Sequence, residues 1–183
     1  ALAKAGAALG EQKYLEAARR AAAFIMERMY GRAAGTLVRR YRDGDAAIPG
    51  LLEDYAFLVQ GLLDLHEAAP DAGVLESAVR LTDKQIELFE DKEAGAFFGA
   101  PPDPHLILRL KDDYDGAEPS GNSIAIANLL RLAVLANRED YRAAAWRALR
   151  AIGSRAAAAP EAVPQLLATI ELASQMSGLA QGG

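Results

Sequence analysis

The sequence predicts an all-α fold built from consecutive helical hairpins. Three observations predict it. Apolar residues recur at helical spacing through most of the chain, strand-like runs are short and lie in long loops, and paired helices repeat at roughly 60 residues.

The first hairpin is expected over about residues 1–30. Tyr14, Leu15, Ala18, Ala22, Ile25 and Met29 recur at steps of three and four, which places them on one helix face, and Gly10-Glu11 breaks the pattern ahead of them. A second hairpin is expected over about 51–90. Leu51, Tyr55, Leu58, Leu62 and Leu65 line its first helix, and Leu75, Val79, Thr82, Ile86 and Phe89 its second. The third, about 120–155, carries Ile124, Asn128, Leu132 and Leu135 and then a helix beginning near Arg138. Pro160 and Pro164 break the pattern before a terminal helix expected at about 161–178. The second helix of each pair opens alike: Tyr14-Leu15-Glu16-Ala17-Ala18, Leu75-Glu76-Ser77-Ala78 and Tyr141-Arg142-Ala143-Ala144-Ala145. Repeats of this size build α/α arrays or toroids, because each unit buries its apolar face only against its neighbours. Strand signals at 36–41, 96–98 and 106–109 fit small β-hairpins within loops, not a core sheet.

At 183 residues the chain is read as a single domain, 1–183, with one sizeable core. Net charge is −5 with both signs interspersed, which excludes the concentrated basic surface that nucleic acid requires. There is no cysteine, so disulfides, thiolate metal sites and thiol catalysis are excluded within this chain. No apolar run approaches a membrane span, and the start lacks a signal peptide's apolar core. No His, Asp or Glu spacing suggests a metal site, no glycine-rich phosphate loop is present, and no cofactor is expected. A cytoplasmic protein is the expectation.

Links within pairs are short, whereas the returns at about 31–50 and 91–118 are long, so the long loops are expected on one rim. Asp54 and Asn122, at the starts of two following helices, are expected to share it. The return into the third pair is the richest polar stretch in the chain. Asp112-Asp113-Tyr114-Asp115-Gly116-Ala117-Glu118-Pro119-Ser120-Gly121-Asn122-Ser123 joins turn formers to a helix start, with Ser120 as a natural N-cap.

Four segments carry a resemblance: Leu37-Val38-Arg39-Arg40-Tyr41-Arg42-Asp43-Gly44, Gly50-Leu51-Leu52-Glu53-Asp54-Tyr55-Ala56, Gly95-Ala96-Phe97-Phe98, and Lys111 through Ser123. In this order they resemble the YyaL-type family, which includes spermatogenesis-associated thioredoxin-like proteins, along nearly the whole chain. The resemblance implies a six-hairpin α/α toroid similar to those of N-acylglucosamine 2-epimerases and six-hairpin glycosidases, preceded by a thioredoxin-like domain with a cysteine motif. That chemistry is carried over to no residue here. Leu51 stands where the family commonly has phenylalanine, and Ala94-Gly95-Ala96 where it has a glycine pair. Six units would need about 360 residues, so the chain is expected to be about half of the ring. It begins without methionine and is read as a piece of a longer polypeptide. Open ends would expose apolar helix faces, so pairing with the missing half or with itself is expected.

Candidate chemistry centres on Asp54 and Asp115. If their carboxyl groups lie about 5–9.5 Å apart, they make an acid/base couple of glycosidase type. Helix-end stabilisation of about 0.3–1 kcal/mol explains a first-turn carboxylate equally well. Tyr55, Ser120 and Asn122 are candidate ligand contacts at helix starts, and exposed helix N–H groups beside Asn122 suit anionic or polyhydroxylated ligands. Arg39, Tyr41 and Lys111, from the two long loops, are candidates to supply hydrogen bonds or a countercharge, the alternative for Lys111 being a surface pair with the nearby aspartates. His66 and His105 begin no helix facing a cavity, so the histidine apparatus of sugar epimerases is not visible. Three functions follow: a small polar or carbohydrate-like ligand site at the long-loop rim; a non-catalytic scaffold that docks a thioredoxin-like domain or another protein; or a glycosidase-like enzyme using the carboxylate pair.

Overall fold

The computed structural model describes residues 1–181, with side chains as far as Met176. Among them are seven α-helices and one small antiparallel sheet, so the chain is predominantly helical. It divides into two compact units, Ala1–Glu87 and Leu88–Gly183.

In the first unit, α1 (Leu2–Leu9) and α2 (Gln12–Arg28) are joined at Gly10, which adopts φ 67° and ends α1 in a left-handed cap. Both pack on α3 (Leu52–Ala68), and α3 is followed by α4 (Ala72–Phe89). The return between pairs holds β1 (Tyr30–Gly31), β2 (Thr36–Arg42) and β3 (Asp45–Pro49) in the order β1-β2-β3. Arg42 pairs with Asp45 across a two-residue turn in which Asp43 and Gly44 both have positive φ. That is the turn whose twist matches a hairpin, and Asp-Gly is its preferred sequence.

Two faces differ from the periodicity reading. The most buried positions of α4 are Ala78, Leu81, Thr82, Gln85 and Phe89, while Leu75, Val79 and Ile86 are half-buried. The packed stripe is therefore rotated around the helix and includes two polar residues. In α2 no residue is fully buried, despite its amphipathic pattern, and Phe24 is exposed beside Tyr41.

In the second unit, α5 (Gly121–Leu135) packs along α6 (Glu139–Ala158) and against α7 (Pro164–Gln181), with a 3-10 turn at Pro160–Ala162 before α7. α5 is apolar on nearly every side and buried on nearly every side, from Ile124 through Ala133. The strand expected at 96–98 is a single bridge, Glu90 to Phe97. The strand expected at 106–109 does not form. Arg109 there turns inward, its Nε donating to the Ala100 carbonyl at 2.9 Å and its Nη2 to the Leu88 carbonyl at 2.8 Å, while its apolar neighbours face water.

Candidate functional site

Two loop-to-helix junctions hold most of the candidate residues, one in each unit. In the first unit, Gly50 brings β3 into α3. Its N–H donates to the Leu37 carbonyl at 2.8 Å, and a Cβ at Gly50 would lie 2.9 Å from that oxygen and 3.1 Å from the Tyr55 ring. Only glycine lets the chain pass so close. The N-cap, Leu51, has no side-chain oxygen, so Asp54 supplies the bond from the other direction: its Oδ2 accepts the Leu51 N–H at 2.8 Å. Arg39 adds a countercharge, with Nη2 donating to Glu53 at 2.8 Å and Nε 3.6 Å from Asp54. One turn on, the Tyr55 hydroxyl oxygen accepts the buried Leu37 N–H at 2.7 Å. Burial pushes the Tyr55 phenol above its usual range, so it stays protonated at neutral pH.

In the second unit, Asp115 is the centre of the polar stretch. One carboxylate oxygen accepts the Ser120 N–H at 2.8 Å, and the other accepts the Leu166 N–H at 3.0 Å in the first turn of α7. Its own N–H donates to the Ala162 carbonyl at 2.9 Å. The residue is only 6% exposed. It thus ties the loop, the start of α5 and the start of α7 into one joint, using a charge where helix N–H groups lack partners. Ser120 is the N-cap of α5: its Oγ accepts the Ser123 N–H at 3.1 Å and donates to the Ser123 hydroxyl at 2.9 Å.

Asn122 is fully buried and bonded on both ends of its amide. Oδ1 accepts the Phe97 N–H at 2.8 Å, and Nδ2 donates to the Phe97 and Asp112 carbonyls, each at 2.9 Å. The side chain pairs with Phe97 as a strand neighbour would. The Phe97 loop is shaped by Gly95 and Ala96, both with positive φ, and a Cβ at Gly95 would lie 2.8 Å from the Arg147 carbonyl. Lys111 closes the loop, donating to the Gly95 carbonyl and to Asp91 Oδ2, each at 2.7 Å.

Of the candidate residues, Asp54, Tyr55, Arg39 and Tyr41 fall in the first unit and Lys111, Asp115, Ser120 and Asn122 in the second. Asp54 and Arg39 meet one another, Tyr41 packs edge-on against Phe24 at 5.2 Å, and the others each meet main-chain groups. Asp91 is absent from the sequence-derived candidates. Its carboxylate accepts the Glu93 and Ala94 N–H groups besides binding Lys111, and the Lys111 contact leads in holding it down at about 2. Its signal was local: an aspartate two residues before Glu93 and four before Gly95 is the pattern of a side chain closing its own turn. Among the described residues no group of three His, Cys, Asp or Glu side chains could hold a metal ion, and no helix is long and apolar enough to cross a membrane.

The chain is predominantly helical, and Asp54, Asp115 and Asn122 at its two loop-to-helix junctions bond main-chain groups. No protein-family model matches the sequence. Over 180 residues, 93% of this chain, it is 38% identical to spermatogenesis-associated protein 20 of Homo sapiens and 39% identical to that of Mus musculus. An uncharacterised protein of Caenorhabditis elegans is 34% identical over 175 residues, 90% of this chain. The chain spans 23% of the length of each of these relatives.

Proposed function

We propose that this chain is a non-catalytic scaffold segment of an α/α toroid, serving to hold a protein partner. The toroid reading is supported by three helix pairs with short internal links and long returns, and by the resemblance of the junction motifs to the YyaL-type family. The observation that carries the scaffold reading is the employment of the candidate polar groups. Both oxygens of Asp115, both ends of the Asn122 amide and the Tyr55 hydroxyl are bonded to main-chain atoms. A general acid must have a proton to give and a base a free lone pair aimed at the substrate. A carboxylate bracing two buried N–H groups is held in place by them, and moving it to meet a ligand would orphan those groups at about 1–3 kcal/mol each.

Titration calorimetry with a panel of neutral and acidic sugars tests this reading. No binding heat is expected. Saturable binding that disappears in Asp115→Asn, with the fold intact by circular dichroism, would replace the scaffold with a ligand site. Sugar hydrolysis lost in either Asp54→Asn or Asp115→Asn would establish the glycosidase-like alternative instead.

A further inference from the structure

The long return of the second unit holds a feature that the junctions do not use. Leu106, Ile107, Leu108 and Leu110 are 44%, 103%, 70% and 70% exposed, and Tyr114 just beyond them is 56% exposed. Four large apolar side chains within five residues are thus left in water, where single scattered ones are the norm. The strap is nevertheless anchored. The Arg109 guanidinium lies 4.2 Å from the centroid of the Phe98 ring and bonds the Ala100 and Leu88 carbonyls. Gly99 N–H donates to the Leu110 carbonyl at 2.8 Å, and Leu106 N–H donates to the Asp103 carbonyl at 3.1 Å. Between those ties, and among the described residues, the N–H groups of Ile107, Leu108 and Arg109 meet no protein acceptor. Apolar side chains held out in water beside main-chain donors open to solvent suit a protein partner that buries the one and bonds the other.

Charge indicates which segment. Asp103 precedes the strap, and Asp112, Asp113 and Glu118 follow it, whereas the basic groups nearby are already employed: Arg109 on carbonyls, Lys111 on Asp91 and Arg155 at 4.0 Å from Asp113, which leaves Asp103, Asp112 and Glu118 without an ion pair among the described residues. A second copy would set acidic flanks against acidic flanks in a chain of net charge −5, and an anionic lipid surface would be repelled in the same way. We propose that residues 106–110 with Tyr114 form a docking strap for a protein segment with an apolar centre flanked by Lys or Arg. This rests on the scaffold reading and names the kind of partner the scaffold holds.

Selection from a random peptide library against the 183-residue chain, with counter-selection on the Ile107→Asp/Leu108→Asp double variant, tests the proposal. Both side chains stand in solvent, so the double variant should keep the parent's circular dichroism and urea midpoint. The expected winners carry an apolar centre with Lys or Arg beside it. They should bind the double variant about tenfold or more weakly, as on loss of a central anchor, and bind the parent less tightly as salt rises. Winners without basic residues, equal affinity for the double variant, or no enrichment over counter-selection would each overturn the proposal. So would a dimer in sedimentation, or vesicle binding, that the double variant abolishes. A failed selection beside a silent sugar titration removes the strap and leaves the scaffold standing; sugar binding removes the scaffold reading itself.

Discussion

Replacing Asp115 separates bracing from chemistry most sharply. In Asp115→Ala the N–H groups of Ser120 and Leu166 lose their acceptors at 2.8 and 3.0 Å inside a joint that is 6% exposed. Each orphaned buried donor costs about 1–3 kcal/mol, so the pair sets a ceiling of about 6 kcal/mol. Water can reach the first turn of α7 once the side chain is gone, which lowers the expected loss to about 2–4 kcal/mol. Asp115→Asn keeps one acceptor and turns an NH₂ toward the other donor, so it should lose about 1–3 kcal/mol. Against a total stability of about 5–15 kcal/mol these are large shifts. Urea unfolding followed by circular dichroism reads them as lowered midpoints with unchanged slope. A midpoint for Asp115→Ala within about 0.5 kcal/mol of the parent would refute the bracing role. A raised midpoint would do so more strongly, because removing a group held in place for catalysis commonly stabilises a fold.

Asn122→Leu keeps the volume and strips every partner from the Phe97 N–H and the two carbonyls; a loss of about 2–4 kcal/mol in the same urea assay is expected. Tyr55→Phe should cost about 1–3 kcal/mol by orphaning the Leu37 N–H. Because burial raises the Tyr55 phenol, the native state keeps its proton to higher pH than the unfolded chain, so stability should fall as pH climbs past about 10, and Tyr55→Phe should flatten that fall. Asp91 titrates in the opposite sense. Its carboxylate is held at about 2 against 3.8 in the free side chain, so its contribution is complete above 3.8 and is lost as pH falls through about 2. Lys111→Met should shrink the acid limb of a thermal-melt series over that window.

The helices were legible because burial of one stripe imposes a period, and the start of α5 was legible because Ser120 has the side chain an N-cap needs. The α4 stripe was misplaced because a count of apolar residues passes over Ala78 and rejects Gln85, although both are buried. For α2, amphipathicity marked the apolar side but carried no information on what covers it, and nothing there is fully buried. Leu106 to Arg109 looked like a strand because its composition is that of one; the single long polar side chain turned inward and the apolar ones outward, reversing the rule the reading relied on. At the junctions, the residue types were readable and their partners were not. Asp115 reaches Leu166, 51 residues on, and Asn122 reaches Phe97, 25 residues back. Turn-forming side chains advertise a need for hydrogen bonds, and whether a backbone or a ligand meets that need depends on the tertiary path.

Amide hydrogen exchange under native conditions tests the central claim most directly. The N–H groups of Leu37, Phe97, Ser120 and Leu166 donate to Tyr55, Asn122 and the two oxygens of Asp115 respectively, and none of these bonds belongs to a helix or sheet ladder. If the candidate polar side chains are braces, these four amides exchange as slowly as the interior of α5, and saturating sugar leaves their rates unchanged. Exchange at the rates of an unstructured loop would mean that these side chains are free for other work, and the scaffold account would fail.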